Sequence, residues 1–153
     1  MATKPLPVPV PLYPMPTELA ELNLADYPDV AQFLESGEAW WRSHWLWGQA
    51  FLRYTGRNKS PHTFMRFRNE TERFLLWALL IKQQPIEHMK KADILEYADF
   101  CWSPPVSWIC MGNFEKFLLN NGAYRTNTAW APFKLKPTKH ASADHVPDRK
   151  KYV

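Results

Sequence analysis

Four side chains on one stretch of this sequence have the types and spacing to hold a polyanion. His62, Arg66, Asn69 and Arg73 follow one another at steps of four, three and four, which on a helix aligns them along one face. Just upstream, Arg57, Asn58 and Lys59 form a polar, basic turn. Ser60 then offers an N-cap oxygen, Pro61 fits the first helical position, and Thr63 can assist the cap. A capped helix start fed by a basic turn is a natural seat for phosphate. The alternative for Arg66 is an i,i+4 ion pair with Glu70 on a solvated face. Arg68 and Lys82 read as solubility charges.

Other chemistries find little support. The five His and two Cys show no metal-ligand spacing, so neither a metal nor a cofactor is expected. There is no Gly-rich phosphate loop and no G-x-S-x-G. Asp93, Glu96 and Asp99 lie along one helical stretch and read as solvent-facing charge. No catalytic residue and no small-molecule substrate are therefore assigned.

The elements that must position the basic face can be read from periodicity. Residues 60–81, SPHTFMRFRNETERFLLWALLI, predict one helix whose inward stripe is Phe67, Thr71, Phe74, Leu75, Ala78 and Ile81. Residues 38–54 predict a second, with Trp40, His44, Trp47 and Phe51 on one stripe and Trp41, Trp45 and Leu52 on the next. Apolar over so much of its circumference, it reads as buried on two sides, with His44 inside the aromatic packing. Gly56 ends it. A third helix, ADILEYADFCW, turns Ile94, Tyr97, Ala98 and Cys101 inward and stops at Ser103-Pro104-Pro105.

The remaining segments are shorter. Thr17 is a possible cap for a helical turn before Pro28, and Asp29 for the segment VAQFLES. NFEKFLLNNG reads as a short helix ended by Gly122. TAWAPF reads as an extended segment packing Trp130 and Phe133 on the core. Residues 1–17 alternate Pro with apolar residues, which favours polyproline II and forbids helix, so they are expected to form a disordered or loosely docked arm. The fold expected is all-α: a Pro-rich arm and helical turn over 1–28, a helical domain over 29–133, and a basic flexible tail over 134–153.

Composition supports one soluble domain. The 153 residues suffice for a real core; no run of 18 uncharged apolar residues suggests a membrane span, and the Pro-broken N-terminus lacks a signal peptide's continuous apolar segment, which makes the cytoplasm the expectation. Cys101 and Cys110 read as free core thiols. Net charge is only +4, but residues 53–91 hold nine bases against three acids, whereas residues 1–52 hold two against six. That asymmetry points to a polyanion partner more than the total does. A solvated basic surface is the plainer reading.

The motifs in order also resemble a known family. T-x-x-x-F-x-x-E-x-x-x-F-L-x-W, from Thr63 through Phe67, Glu70, Phe74 and Leu75 to Trp77, resembles the core-binding domain of tyrosine recombinases, the phage-integrase family. K-x-D-I-x-x-Y-x-x-F, from Lys91 to Phe100, is similar to that family's next helix, and Trp130-Ala131-Pro132-Phe133 to a later segment. The resemblance spans roughly residues 38–133. It implies a small orthogonal, SAM-like helical bundle that clamps double-stranded DNA, with possible self-association on DNA. Position by position it implies that His62, Thr63 and Arg66 make the main contacts, Thr63 to phosphate and Arg66 to a guanine edge or phosphate, while Arg73 and the turn of Arg57, Asn58 and Lys59 hold the backbone. The family's catalytic Arg, Lys, His-x-x-Arg and Tyr pattern is not found here, and Arg149 and Tyr152 match none of it. DNA binding without cleavage is the expectation, with a protein-interaction module, or single-strand binding through stacked Trp, as the alternatives.

Overall fold

The computed structural model describes residues 7–15, 22–57 and 59–135. Among them, four α-helices come first: α1 Pro28–Ser36, α2 Ala39–Gly56, α3 Pro61–Leu76 and α4 Lys91–Trp102. Two small sheets follow, built from β1 Ile109–Cys110, β2 Phe117–Asn120, β3 Ala123–Thr126 and β4 Phe133–Lys134. The protein is mostly helical, as its periodicity predicts, with strands added in its last third. The predicted cap at Thr17, and the predicted tail beyond residue 135, lie outside the described residues. Among the described residues no helix is long and apolar enough to cross a membrane, and both cysteines are free thiols.

The Pro-rich segment is where the structure departs furthest from expectation. Residues 7–15 are not a loose arm; Val8 is exposed, but residues 9 and 11–14 are buried, with Leu12 1 % and Tyr13 0 % exposed. An extended Pro-rich chain makes no hydrogen bonds of its own, so burying it requires partners from elsewhere. The carboxylate of Glu72 on α3 accepts from the Leu12 N–H at 2.7 Å and the Tyr13 N–H at 3.3 Å. Two indoles take carbonyls: Trp45 Nε1 donates to Leu12 O at 3.0 Å and Trp108 Nε1 to Pro7 O at 3.2 Å. Tyr13 stacks on Trp45 and donates its hydroxyl to Trp45 O at 2.7 Å. Gly48 makes that approach possible, since a Cβ there would lie 2.1 Å from the Tyr13 hydroxyl.

The second departure concerns the face that α3 buries. Its inward stripe is Phe64, Arg68, Glu72, Leu75 and Leu76; of the predicted row, Leu75 and Ala78 are buried and Ile81 packs on the core, but Phe67 is exposed. Two charges in the stripe hide it from a search for apolar periodicity. Beyond Leu76 the helix widens into a π-turn, Trp77–Lys82, whose residues 77–80 are all buried. Gln83 closes it in the left-handed region (φ 53°). Lys82, read as a solubility charge, instead reaches the first turn of α4, 2.8 Å from Asp93 and 2.9 Å from Glu96. Asp93 also accepts the Lys90 N–H; the Lys82 ammonium and that N–H together hold its carboxyl below the ordinary range. On α4, Tyr97 and Cys101 turn inward as predicted, but Ile94 and Ala98 are exposed.

In the last third, 117–126 is a hairpin and not the predicted short helix. Asn121 and Gly122 both have positive φ (50° and 80°), the geometry of a two-residue type I′ turn. The pair Phe117 and Thr126 opens the antiparallel register. Tyr27 receives the hairpin, edge-on to Phe117 and stacked on Tyr124. Asp29 is no cap for α1: it accepts from Thr126 N–H at 3.0 Å and pairs with Arg125 at 2.9 Å. The predicted extended segment TAWAPF is not extended throughout: 128–129 form a turn closed by the Trp130 N–H on Asn127 O at 3.1 Å. Trp130 and Phe133 do pack on the core as predicted, and β4 runs parallel to β1.

His44 sits fully buried among aromatics, as predicted. Its Nε2 accepts from the Ile86 N–H at 2.9 Å, so the ring proton must be on Nδ1, which donates to Trp40 O at 2.9 Å. Glu87 lies 3.4 Å from Nε2, but protonating that nitrogen would set one N–H against another. Burial accordingly lowers the His44 pKa from 6.5. A base with a depressed folded pKa leaves the unfolded chain to bind the proton first. Thermal stability should therefore fall as pH drops through 6.5, and calorimetry should find that component of the drop missing in His44→Gln.

Glu72 supports a second expectation. Removing one partner of a buried ion pair costs about 3–5 kcal/mol. Glu72→Ala should lose that much in urea denaturation and expose residues 7–15 to proteolysis. The double variant with Lys116→Met should lose less than the sum of the single changes.

Candidate nucleic-acid interface

The first two turns of α3 bury Phe64 and Arg68 on their inner face and leave His62 and Arg66 exposed on the other. Ser60 caps the helix: its Oγ accepts from the Thr63 N–H at 3.2 Å and its hydroxyl donates to Thr63 Oγ1 at 3.0 Å. Pro61 occupies the first helical position, and no acidic residue lies in the first turn. The positive end of the helix dipole thus has no carboxylate of its own helix beside it. Around it Arg57, Lys59, Ser60, His62 and Arg66 are exposed, with Thr63 half-buried. Asn58 lies outside the described residues.

Arg66 is the decisive side chain, since the competing reading paired it with Glu70. Glu70 instead takes Arg73, at 2.9 Å, and among the described residues no ion pair engages Arg66. Its guanidinium is left facing solvent.

Arg73 does not belong to this surface. Its side chain is only 11 % exposed, its Nε donates to Pro132 O at 2.8 Å, and its guanidinium lies 4.9 Å from the centre of the Phe133 ring. It clamps the segment leading into β4. Asn69 is half-buried and lines a cavity together with Arg73. The predicted row of four therefore splits, with His62 and Arg66 outward and Asn69 and Arg73 inward.

The aromatic face of α2 also differs from expectation. Trp47 is 53 % exposed, and Phe51 and Tyr54 are exposed with it. Phe51 meets Phe67 edge-on at 6.3 Å, and the Arg57 guanidinium lies 5.9 Å from the centre of the Tyr54 ring. An aromatic shoulder thus adjoins the basic turn, where helical spacing alone implied core.

The residues that sequence reasoning missed are Arg68, Glu72 and Lys116. Lys116 pairs with Glu72, and its ammonium lies 4.6 Å from the centre of the Trp130 ring. Burial pushes the Lys116 pKa down to about 8, against the opposing pull of Glu72. The spacing of Phe64, Arg68, Glu72, Leu75 and Leu79 was a signal for them, a helical row with charges in its middle. Among the described residues no group of three His, Cys, Asp or Glu side chains could hold a metal ion.

No family model matches the chain, and neither a curated protein nor a solved structure matches it.

The split of the row has a measurable consequence. Arg73→Ala should lower the unfolding midpoint by the equivalent of about 1–3 kcal/mol, the cost of leaving the covered Pro132 carbonyl without its charged donor. Arg66→Ala should stay within about 0.5 kcal/mol of the parent, which thermal denaturation of the two variants checks.

Proposed function

We propose that this protein binds double-stranded DNA through the exposed start of α3, as the core-binding module of a site-specific tyrosine recombinase. The observation that carries the proposal is the outward cluster of Arg57, Lys59, His62 and Arg66 around a capped helix start free of acidic neighbours in its first turn. Phosphate contacts set register, and a guanidinium on an exposed helix face can reach a base edge in the major groove. In this proposal Arg57, Lys59 and the Thr63 hydroxyl grip the backbone, while Arg66 reads guanine or takes a further phosphate. The motif series from Thr63 to Trp77 supports the same proposal. In it the chain's part in recombination is to hold DNA, and strand cleavage belongs to other residues.

The aromatic shoulder supports a second reading. Trp47, Phe51, Tyr54 and Phe67 offer apolar surface to a partner protein, and their ring faces also suit stacked bases of a single strand.

Fluorescence anisotropy with labelled duplex and single-stranded DNA decides among these. Duplex binding should weaken linearly in log–log form with salt, and each phosphate contact removed should reduce the slope by about 0.9. Arg66→Ala should cost about 1–3 kcal/mol of duplex affinity. Absence of duplex affinity at low salt, or an unchanged Arg66→Ala, would defeat the proposal. Preference for single strands that vanishes in Trp47→Ala would favour the shoulder instead.

A further inference from the structure

A cavity of about 530 Å³ opens between α3, the end of the Pro-rich segment and the hairpin. That is within the range of pockets that take small ligands, ~300–1,000 Å³. The duplex proposal does not use it, and its lining is unusual in combining three chemistries. Ring surfaces come from Tyr27, Phe117, Tyr124 and Trp130; cations from Arg68, Arg73, Lys116 and Lys134; and side-chain amides from Asn69 and Asn113.

The cations are not equivalent. Arg73 is taken by Glu70 and Pro132 O, and Lys116 by Glu72. Among the described residues, the Lys134 ammonium meets a neutral partner, the Asn113 amide oxygen, and no ion pair engages it. Glu115 is the sole carboxylate among the described lining residues. Lys134 therefore brings a charge that an acidic ligand can neutralise, beside an amide that the ligand can displace.

We propose that this cavity binds a nucleotide unit, an aromatic base carrying a phosphate. The ring surfaces around Trp130 and Tyr124 suit the plane of a base. The Asn69 amide offers a donor and an acceptor to a base edge. Lys134 meets the phosphate. A simple anion would leave the ring surfaces wet, and an uncharged ring would leave Lys134 without a counter-charge. Asn69 stands one turn beyond Arg66 on α3, so the unit can come from two sources: a free nucleotide, or a nucleotide displaced from a nucleic-acid chain lying along the exposed start of that helix.

The test uses the full chain. Deoxyadenosine monophosphate, thymidine monophosphate and inorganic phosphate are titrated to millimolar concentration, with ¹H–¹⁵N spectra and tryptophan fluorescence as readouts. The expected result is saturable shifts at the Trp130 indole and the Asn69 and Asn113 amides with both nucleotides, and much weaker ones with phosphate. Lys134→Gln and Asn69→Leu should each weaken nucleotide binding about tenfold, roughly 1.4 kcal/mol, with Lys134 near the surface and its variant expected to keep the parent's spectrum. No shift at these residues, equal response to phosphate alone, or full binding by Lys134→Gln overturns the proposal. Competition then identifies the source: duplex or single strand that displaces the nucleotide marks a nucleic-acid origin, and failure to displace marks a free one. Duplex affinity of the parent and of Arg66→Ala, measured separately, keeps a failure of the cavity distinct from a failure of the duplex surface.

Discussion

A single buried carboxylate holds this fold together. Glu72 is 1 % exposed, and ionised burial of that kind is tolerated only when every oxygen is engaged. Its partners are two backbone N–H groups of the Pro-rich segment and the Lys116 ammonium. Two parts of the chain that share no local structure, the Pro-rich segment and the stretch at Lys116, are thereby tied to one turn of α3. Proline explains why a carboxylate is needed. The segment has few N–H groups and cannot pair with itself as helix or hairpin, so its donors must find an acceptor supplied by another element.

That tie divides α3 into two halves with opposite duties. From Arg68 onward, Glu70 aside, its charges serve the interior: Glu72 anchors the Pro-rich segment and Arg73 clamps the approach to β4. Before Arg68, among the described residues, His62 and Arg66 are left exposed to solvent. Charge on one continuous helix is thus structural at one end and available at the other. The change of role follows where the approach to β4 meets the helix at Arg73, not any change in residue type.

The tryptophans are divided by the same logic. Trp45 and Trp108 are buried with their indole N–H groups spent on carbonyls of the Pro-rich segment, which is how a buried indole meets its one polar requirement. Trp47 belongs to the same helix as Trp45 yet is 53 % exposed, because among the described residues no element covers that side of α2. Its exposure, with Phe51 and Tyr54, gives the basic turn an apolar flank.

Local signals carried much of the outline. Ser60-Pro61 starts α3, Pro104 follows the end of α4, and the concentration of bases over residues 53–91 is a property of the chain in any conformation. Each rests on backbone preference or composition, which act over a few residues. The hairpin turn was legible too, in Asn121-Gly122, but the apolar run FLL beside it was given helical weight. The sequence by itself could determine where helices begin and end, and that Arg66 would lie on the basic face of one of them. Tertiary structure alone decided which face of α3 is buried, that the Pro-rich segment is core, and that Arg73 is withdrawn while Arg66 is not. The physical reason is distance along the chain. A charge that will be buried looks like one that will be solvated until its partner is known, and Glu72 finds its partners 60 residues upstream and 44 downstream.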